Sequence, residues 1–331
     1  MSEAPAGPER VVVDAGPDER LTTVVAAVRA IQPGTTLQER RAGASWDVPR
    51  EAAVLADDGF DVATTVVRGP DGPVQIQLIT PPGELSGGAL VGFHGGGYVL
   101  CSAGTHALRF ARMALAARCV LVNVEYPLAP EHPFPAAVRA GVAAVRWAAD
   151  HFGPVVLVGD SAGGGLVLSV ALSLRDGLHG APEPSVTGAG SVRPAGLVAI
   201  SPWTDLTCSA PSLVERRDVD PFAHIDDLPA FAADYLGGAT DPTDPVASPL
   251  FADPTGLPPT LVQVGDTETM YDDADRWAER AAAAGVRVRF EEWTGMFHTW
   301  HGYVGELTGA DMAVAAIGEF VRRRLDDADP A

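Results

Sequence analysis

The amino-acid sequence predicts an α/β protein: a mostly parallel central sheet flanked by helices, with further helical segments outside it. Three observations carry this. Near-continuous apolar strands recur at Ala89–Phe93, Val120–Val124, Val155–Val158, Gly196–Ile200, Thr260–Val264 and Val286–Glu291. Helical stretches lie between most of them, at Thr105–Arg118, Pro135–His151, Ala162–Arg175 and Asp272–Ala284, with a last one at Asp311–Leu325. Strands that are apolar on both faces and alternate with helices read as a parallel sheet covered on both sides. Finally, Val62–Arg68 and Val74–Thr80 alternate apolar and polar residues around Gly69-Pro70-Asp71-Gly72. That pattern is a β-hairpin, which adds antiparallel strands at one edge.

The remaining segments are read by composition. Residues 1–60 are rich in Ala, Glu and Arg and read as helical, with Leu21–Val28 their clearest apolar stretch and no strong strand signal. Residues 177–194 are polar and rich in Gly and Pro, a surface loop. Residues 205–250 contain helix-like sequence broken by prolines, long enough to be an insertion over the edge of the sheet. The resulting division is a core of 61–204 and 246–331, with helical segments at 1–60 and 205–245.

Charge and cysteine usage exclude several functions. The 331 residues carry 23 basic side chains, all Arg, against 43 acidic ones, a net charge of −20. Such a balance argues against nucleic acid and anionic membrane surfaces as partners. No run approaches 18 uninterrupted apolar residues, so no membrane insertion is expected. The first residues lack the basic and then apolar pattern of a secretory signal, which makes a cytoplasmic location the expectation. Cys101, Cys119 and Cys208 are too few and too scattered for a disulfide framework or a zinc site. Cys119 opens an apolar strand and is expected in the core. No metal or cofactor is expected.

One stretch carries chemistry. In VLVGDSAGGG (residues 156–165) a buried strand ends in Ser161, held between small residues at the start of a helix. That is the strand–turn–helix setting of a nucleophile elbow, in which a strained backbone exposes the serine hydroxyl above the sheet. The following helix points its positive end at the site. A serine hydroxyl needs a base, and the base an orienting acid, in the chain order Ser, acid, His. Of the eight histidines only His179, His224, His298 and His301 follow Ser161. His298 lies in a loop after the last apolar strand, where a base belongs; His301 is expected at the surface. After Thr260–Val264 comes Gly265-Asp266-Thr267-Glu268, and position alone leaves Asp266 and Glu268 as rival acids. Asp272 and Asp273 are expected to cap and begin the next helix. His94-Gly95-Gly96-Gly97 follows the strand Ala89–Phe93, and bare glycine N–H groups suit a developing oxyanion. His94 itself is read as ordering that loop.

In combination, His94-Gly-Gly-Gly97, Glu125-Tyr-Pro-Leu-Ala-Pro-Glu-His-Pro-Phe-Pro135, Gly159-Asp-Ser-Ala-Gly163 and Met296-Phe297-His298 resemble the bacterial hormone-sensitive-lipase family of α/β-hydrolases over roughly residues 85 to 325. The resemblance implies an α/β-hydrolase fold with a helical cap built from residues 1–60 and 205–245. It implies Ser161 as nucleophile, His298 as base and Glu268 as acid, since Glu268-Thr-Met-Tyr-Asp272 stands where many members carry Asp-Pro-Leu-x-Asp. This glutamate looks closest to short-chain carboxylesterases and lactone hydrolases. It also implies oxyanion donors at Gly96, Gly97 and Ala162, with Gly95 a further candidate. Tyr98, Trp203 and Phe222 are candidates for the pocket wall, with ordinary core the alternative reading of these aromatics. Glu125 and Pro127 depart from the family's usual Asp and Arg, a matter of local packing. The implied function is hydrolysis of a small-molecule carboxylic ester by a homodimer that pairs through the last sheet edge. A lactone hydrolase, a dehydratase or acyl-transfer enzyme, and a silent ligand-binding protein are the alternatives on this scaffold.

Overall fold

A computed structural model describes residues 7–31, 34–45, 47–179, 192–222 and 225–328. Its elements run β1 (Glu9–Val13), α1 (Glu19–Arg29), α2 (Leu37–Ala44), α3 (Val48–Asp57), β2 (Asp61–Gly69), β3 (Gly72–Thr80), β4 (Ala89–Phe93), α4 (Ala107–Ala117), β5 (Val120–Glu125), α5 (Ala136–Phe152), β6 (Val155–Asp160), α6 (Ala162–Asp176) and β7 (Gly196–Ile200). Then follow the short α7 (Ser212–Glu215), α8 (Leu228–Leu236), β8 (Thr260–Gly265), α9 (Tyr271–Ala283), β9 (Val288–Trp293) and α10 (Thr308–Asp326). Of the surface loop expected over 177–194, residues 180–191 lie outside the described residues, as does His224.

Nine strands form one sheet in the order β1-β9-β8-β7-β6-β4-β5-β3-β2. Every pairing from β1 through β5 is parallel, and only β3 runs against the rest. All residues of β4, β6, β7 and β8 are buried, as strands covered on both faces must be. Phe110, Met113 and Ile317 of α4 and α10 pack on one face; Val142, Leu166 and Trp277 of α5, α6 and α9 pack on the other. The chain leaves β4 toward β5 and leaves β6 toward β7, so the strand order reverses between β4 and β6. Ligands of open α/β sheets bind outside the carboxyl ends of the strands at such a reversal.

The amino-terminal segment differs from its expectation. Glu9–Val13 is a strand, paired in parallel with β9 from Glu9↔Arg289 to Val13↔Trp293. Five residues with three consecutive valines carry no period of their own, so only the open flank of β9 makes this segment a strand. The consequence is that β9 is not the sheet edge, and pairing of two copies through it would require β1 to leave. The helices after β1 match the helical reading. Thr36 and Glu39 close a capping box on α2, and Asp18, the cap of α1, also accepts from the Thr308 N–H of α10 at 2.7 Å.

Asp272 and Asp273 sit in the first turn of α9, but neither caps it. Asp272 accepts from Ser212 N–H at 2.8 Å, and Asp273 from the N–H groups of Thr204 (2.7 Å) and Asp205 (2.9 Å), so both tie α9 to the chain after β7. Burial pushes the Asp273 carboxyl up to about 7, with the Asp205 charge adding to the effect. An acid raised in the folded state contributes stability below its unfolded pKa that is lost as pH rises through its folded pKa. Asp273→Asn keeps an acceptor for both N–H groups and removes the charge. It is expected to gain on the wild type between pH 4 and pH 8, by about 2–4 kcal/mol at the upper end. Thermal unfolding across that range checks it, and parallel curves for the two proteins would contradict it.

Candidate active site

The candidate residues gather at the carboxyl ends of β4, β6, β7, β8 and β9. Ser161 follows β6 directly with φ 55° and ψ −122°, a conformation that L-residues rarely adopt. Three backbone hydrogen bonds hold it there: Ser161 N–H to Ile200 O (2.9 Å), and Trp203 N–H (3.0 Å) and Gly165 N–H (3.1 Å) to Ser161 O. The hydroxyl is half-buried and makes no hydrogen bond among the described residues, and apo sites often tighten such contacts only with substrate.

His298 Nδ1 lies 2.9 Å from Glu268 Oε2, with Glu268 fully buried and the imidazole side chain 14% exposed. The second oxygen of Glu268 accepts from Gly265 N–H at 2.9 Å. Ser201, with φ 45° directly after β7, ties the base loop to this end of the sheet: its hydroxyl accepts from Thr299 N–H at 3.3 Å. Burial alone would push the His298 imidazole down. The hydrogen bond and charge of Glu268, with the charges of Asp220 and Asp160, instead hold it above its ordinary value. Asp266 is engaged elsewhere. Its Oδ1 accepts from Gly295 N–H at 2.7 Å and closes the turn before His298. Of the two rival acids, Glu268 alone contacts the imidazole. Glu268→Gln is expected to lower kcat by about 10³–10⁴ by releasing the imidazole tautomer, while Asp266→Asn stays within about threefold of wild type. Side-by-side kcat values check this, and the reverse order would make Asp266 the acid.

The glycine loop separates into two parts. Gly95 N–H donates to Asp160 Oδ1 at 3.0 Å and lies 3.1 Å from His106 Nε2, so it is not free for substrate. This removes Gly95 from the oxyanion candidates. Gly96 and Gly97 N–H donate to no acceptor among the described residues, and Ala162 N–H opens α6, where no intrahelical partner exists. Gly97 requires its glycine: φ is +63°, and a Cβ would lie 2.5 Å from the ring of Phe231. Asp160 is itself held by the Arg109 guanidinium, whose Nη1 lies 2.9 Å from its Oδ2, and by the His106 imidazole, whose Nε2 lies 3.2 Å from the same oxygen; burial holds that imidazole below its ordinary value. His94 orders the loop: Nδ1 is 2.7 Å from Gly95 O, the ring stacks on Tyr126, and the Tyr126 hydroxyl donates to His94 O.

Other expectations divide. His301 is not at the surface; it is fully buried, its Nε2 2.7 Å from Gln263 Oε1, and burial lowers it to about 3. Tyr98 and Trp203 share an aromatic cluster in which Tyr98 stacks on Tyr235 of α8 at 3.8 Å. Phe222 lies apart from them and stacks on Phe297, beside His298. Cys119 is buried, and Cys101, Cys119 and Cys208 are free thiols. Sequence reading missed Ser201, His106, Arg109, Asp220 and Phe231. None has a local motif, since each acts only through contacts with residues distant in the chain. Among the described residues, no helix is long and apolar enough to cross a membrane. A cavity of about 620 Å³ opens at the opposite end of the sheet, lined by Thr260, Val286, Arg287 and Phe320, away from every candidate residue.

A family model described as the alpha/beta hydrolase fold matches residues 90–302. A crystal structure of an esterase from the bacterial hormone-sensitive lipase family superposes with a TM-score of 0.80 at 36% identity, covering 94% of this chain and 99% of that one. This chain belongs to the hormone-sensitive-lipase family of α/β-hydrolases. Within the family, it is 40% identical to an acetyl-hydrolase of Streptomyces hygroscopicus over 73% of this chain and 77% of the relative. It is 37% identical to an esterase of Acinetobacter venetianus over 69% and 72%. The crystal structure of EstE5 soaked with p-nitrophenyl butyrate superposes with a TM-score of 0.81 at 37% identity, covering 94% of this chain and 100% of that one.

Proposed function

We propose that this protein is a serine carboxylesterase acting on short- to medium-chain esters through an acyl-enzyme. The observation that carries this reading is the convergence of a buried Glu268–His298 pair, a strained Ser161 and the N–H groups of Gly96, Gly97 and Ala162, unpartnered among the described residues, at one sheet end. His298 takes the Ser161 proton as the hydroxyl attacks the ester carbonyl. The three N–H groups receive the oxyanion. His298 then protonates the leaving alcohol and activates water for deacylation, while Glu268 holds the imidazole tautomer and offsets its charge.

The preference for small acyl groups is supported by crowding around the glycine loop. Phe231 presses on Gly97, Tyr235 stacks on Tyr98, and all three aromatic rings are nearly inaccessible. The acetyl-hydrolase among the relatives agrees with it. Helices α1 and α2, after β1 has joined the sheet, are assigned with residues 205–245 as a cap. Arg40 of α2 pairs with Asp227 and lies over Phe231 of α8, and Arg41 donates to Val99 O at 2.9 Å. Three free thiols suit a reducing, cytoplasmic setting.

The test is hydrolysis of p-nitrophenyl esters from acetate to palmitate by wild type. Turnover is expected to peak at acetate to hexanoate and to fall by about tenfold or more at palmitate, a loss of ~1.4 kcal/mol in transition-state stabilisation. A folded wild type that turns over none of them would overturn the reading.

A further inference from the structure

Asp220 lies in the inserted segment between α7 and α8 and is 3% exposed. Its Oδ2 accepts from the N–H (2.9 Å) and hydroxyl (3.0 Å) of Thr269, the neighbour of Glu268. Its Oδ1 accepts from Phe222 N–H at 3.1 Å, and Phe222 stacks on Phe297, the neighbour of His298. One buried carboxylate therefore fastens the acid loop to the insertion and holds the backbone of Phe222, whose ring meets the base loop. Every donor it meets among the described residues is neutral. Nearby arginines are engaged elsewhere: Arg29 donates to the carbonyls of Asp218 and Val219, and Arg216 to Asp266 O.

A buried carboxylate satisfied only by neutral donors keeps its charge unscreened toward its surroundings. The groups facing His298 are Glu268 after β8, Asp160 after β6, Asp220 from the insertion and His301 from its own loop. Asp160 is already countered by the Arg109 guanidinium at 2.9 Å, and burial lowers both His106 and His301, so neither adds a charge. Asp220 remains, after Glu268, as an uncompensated negative charge toward the imidazole.

We propose that Asp220 is a positioning residue of the reaction: it sets the spacing of the acid and base loops and supplies a second negative charge that stabilises the His298 imidazolium. The proposal rests on the esterase reading for its kinetic consequence, though not for its electrostatic one. In a hydrolytic cycle His298 becomes cationic twice, so this charge favours both half-reactions.

Asp220→Asn keeps the shape and an acceptor for Thr269 and removes the charge. The acid limb of kcat/KM on p-nitrophenyl butyrate, set by loss of the neutral imidazole, is expected to move down by about one pH unit. At the plateau kcat should fall about tenfold with KM nearly unchanged. Asp220→Glu, which retains the charge, should leave the acid limb near its wild-type position. In parallel, the His298 ring nitrogens are titrated by NMR in Ser161→Ala and in Ser161→Ala with Asp220→Asn, where no turnover is needed. A lower midpoint in the second protein supports the proposal even if wild type hydrolyses no ester, which would overturn only the esterase reading. Active wild type with an unmoved acid limb and an unmoved midpoint would overturn the role of Asp220. Should Asp220→Asn not fold, Asp220→Ser, whose hydroxyl also accepts from Thr269 N–H, carries the same comparison.

Discussion

Replacing Ser161 with alanine is expected to lower kcat/KM on p-nitrophenyl butyrate by about 10⁴–10⁶ while leaving the unfolding temperature close to wild type. The two halves of this expectation come from different atoms. The contacts that hold the elbow, to Ile200, Trp203 and Gly165, are made by the Ser161 backbone, which alanine keeps. The hydroxyl makes no hydrogen bond among the described residues, so its removal leaves no partner unsatisfied. His298→Ala should cost a similar factor, and the double variant scarcely more, because nucleophile and base act as one unit. The residual rate over water comes from the oxyanion donors, which neither change touches. Kinetics with all three variants measures this. Appreciable turnover by Ser161→Ala would place the nucleophile elsewhere.

The second large effect is expected from one methyl group. Gly163→Ala would place a Cβ against the carbonyl oxygens of Phe93 and His94, inside contact with the first and 2.5 Å from the second. Both are backbone atoms where β4 passes into the glycine loop, so no side chain can rotate away. Gly159 faces the same junction, with Phe93 O 2.9 Å from its own Cβ position. The elbow and the glycine loop therefore fit only because both flanking residues lack side chains. The variant is expected to lose about 3 kcal/mol or more, the upper range for forcing atoms into a packed interior. Its oxyanion donors would be displaced with the loop, so activity should fall with stability. Chemical denaturation and activity on one preparation check this. A variant with wild-type stability and rate would mean that the β4 and β6 ends are not packed as described.

Much of this molecule is legible in the chain without its tertiary structure. Strands β4 and β7 fall on the residues predicted, and the helices from α4 to α10 that the sequence predicts agree to within a few residues at their ends. Periodicity and glycine placement are short-range signals: an apolar run marks a strand, and a small-residue turn marks the elbow. The same holds for Ser161 and His298, which follow closely on strands and so are placed by the strands themselves. β9 begins two residues later than predicted, since Val286 and Arg287 precede its pairing with β8.

What the chain alone left open concerns partners. Asp266 and Glu268 occupy one short loop, and only the approach of the His298 loop decides which carboxylate meets the imidazole. Gly95, Gly96 and Gly97 look equivalent as text, yet Asp160 takes the first N–H and leaves the other two. His301 reads as a surface residue until Gln263 of β8 is placed beside it. β1 exists because β9 offers an unpaired edge, and Asp220 matters because the acid loop and the base loop both close on the insertion that carries it. Strand and helix positions, the elbow and the candidate nucleophile and base follow from local backbone preference and burial pattern, which are written residue by residue. Hydrogen-bond partners and charge neighbours are set by chain segments far apart in sequence, and they exist only once the chain has folded.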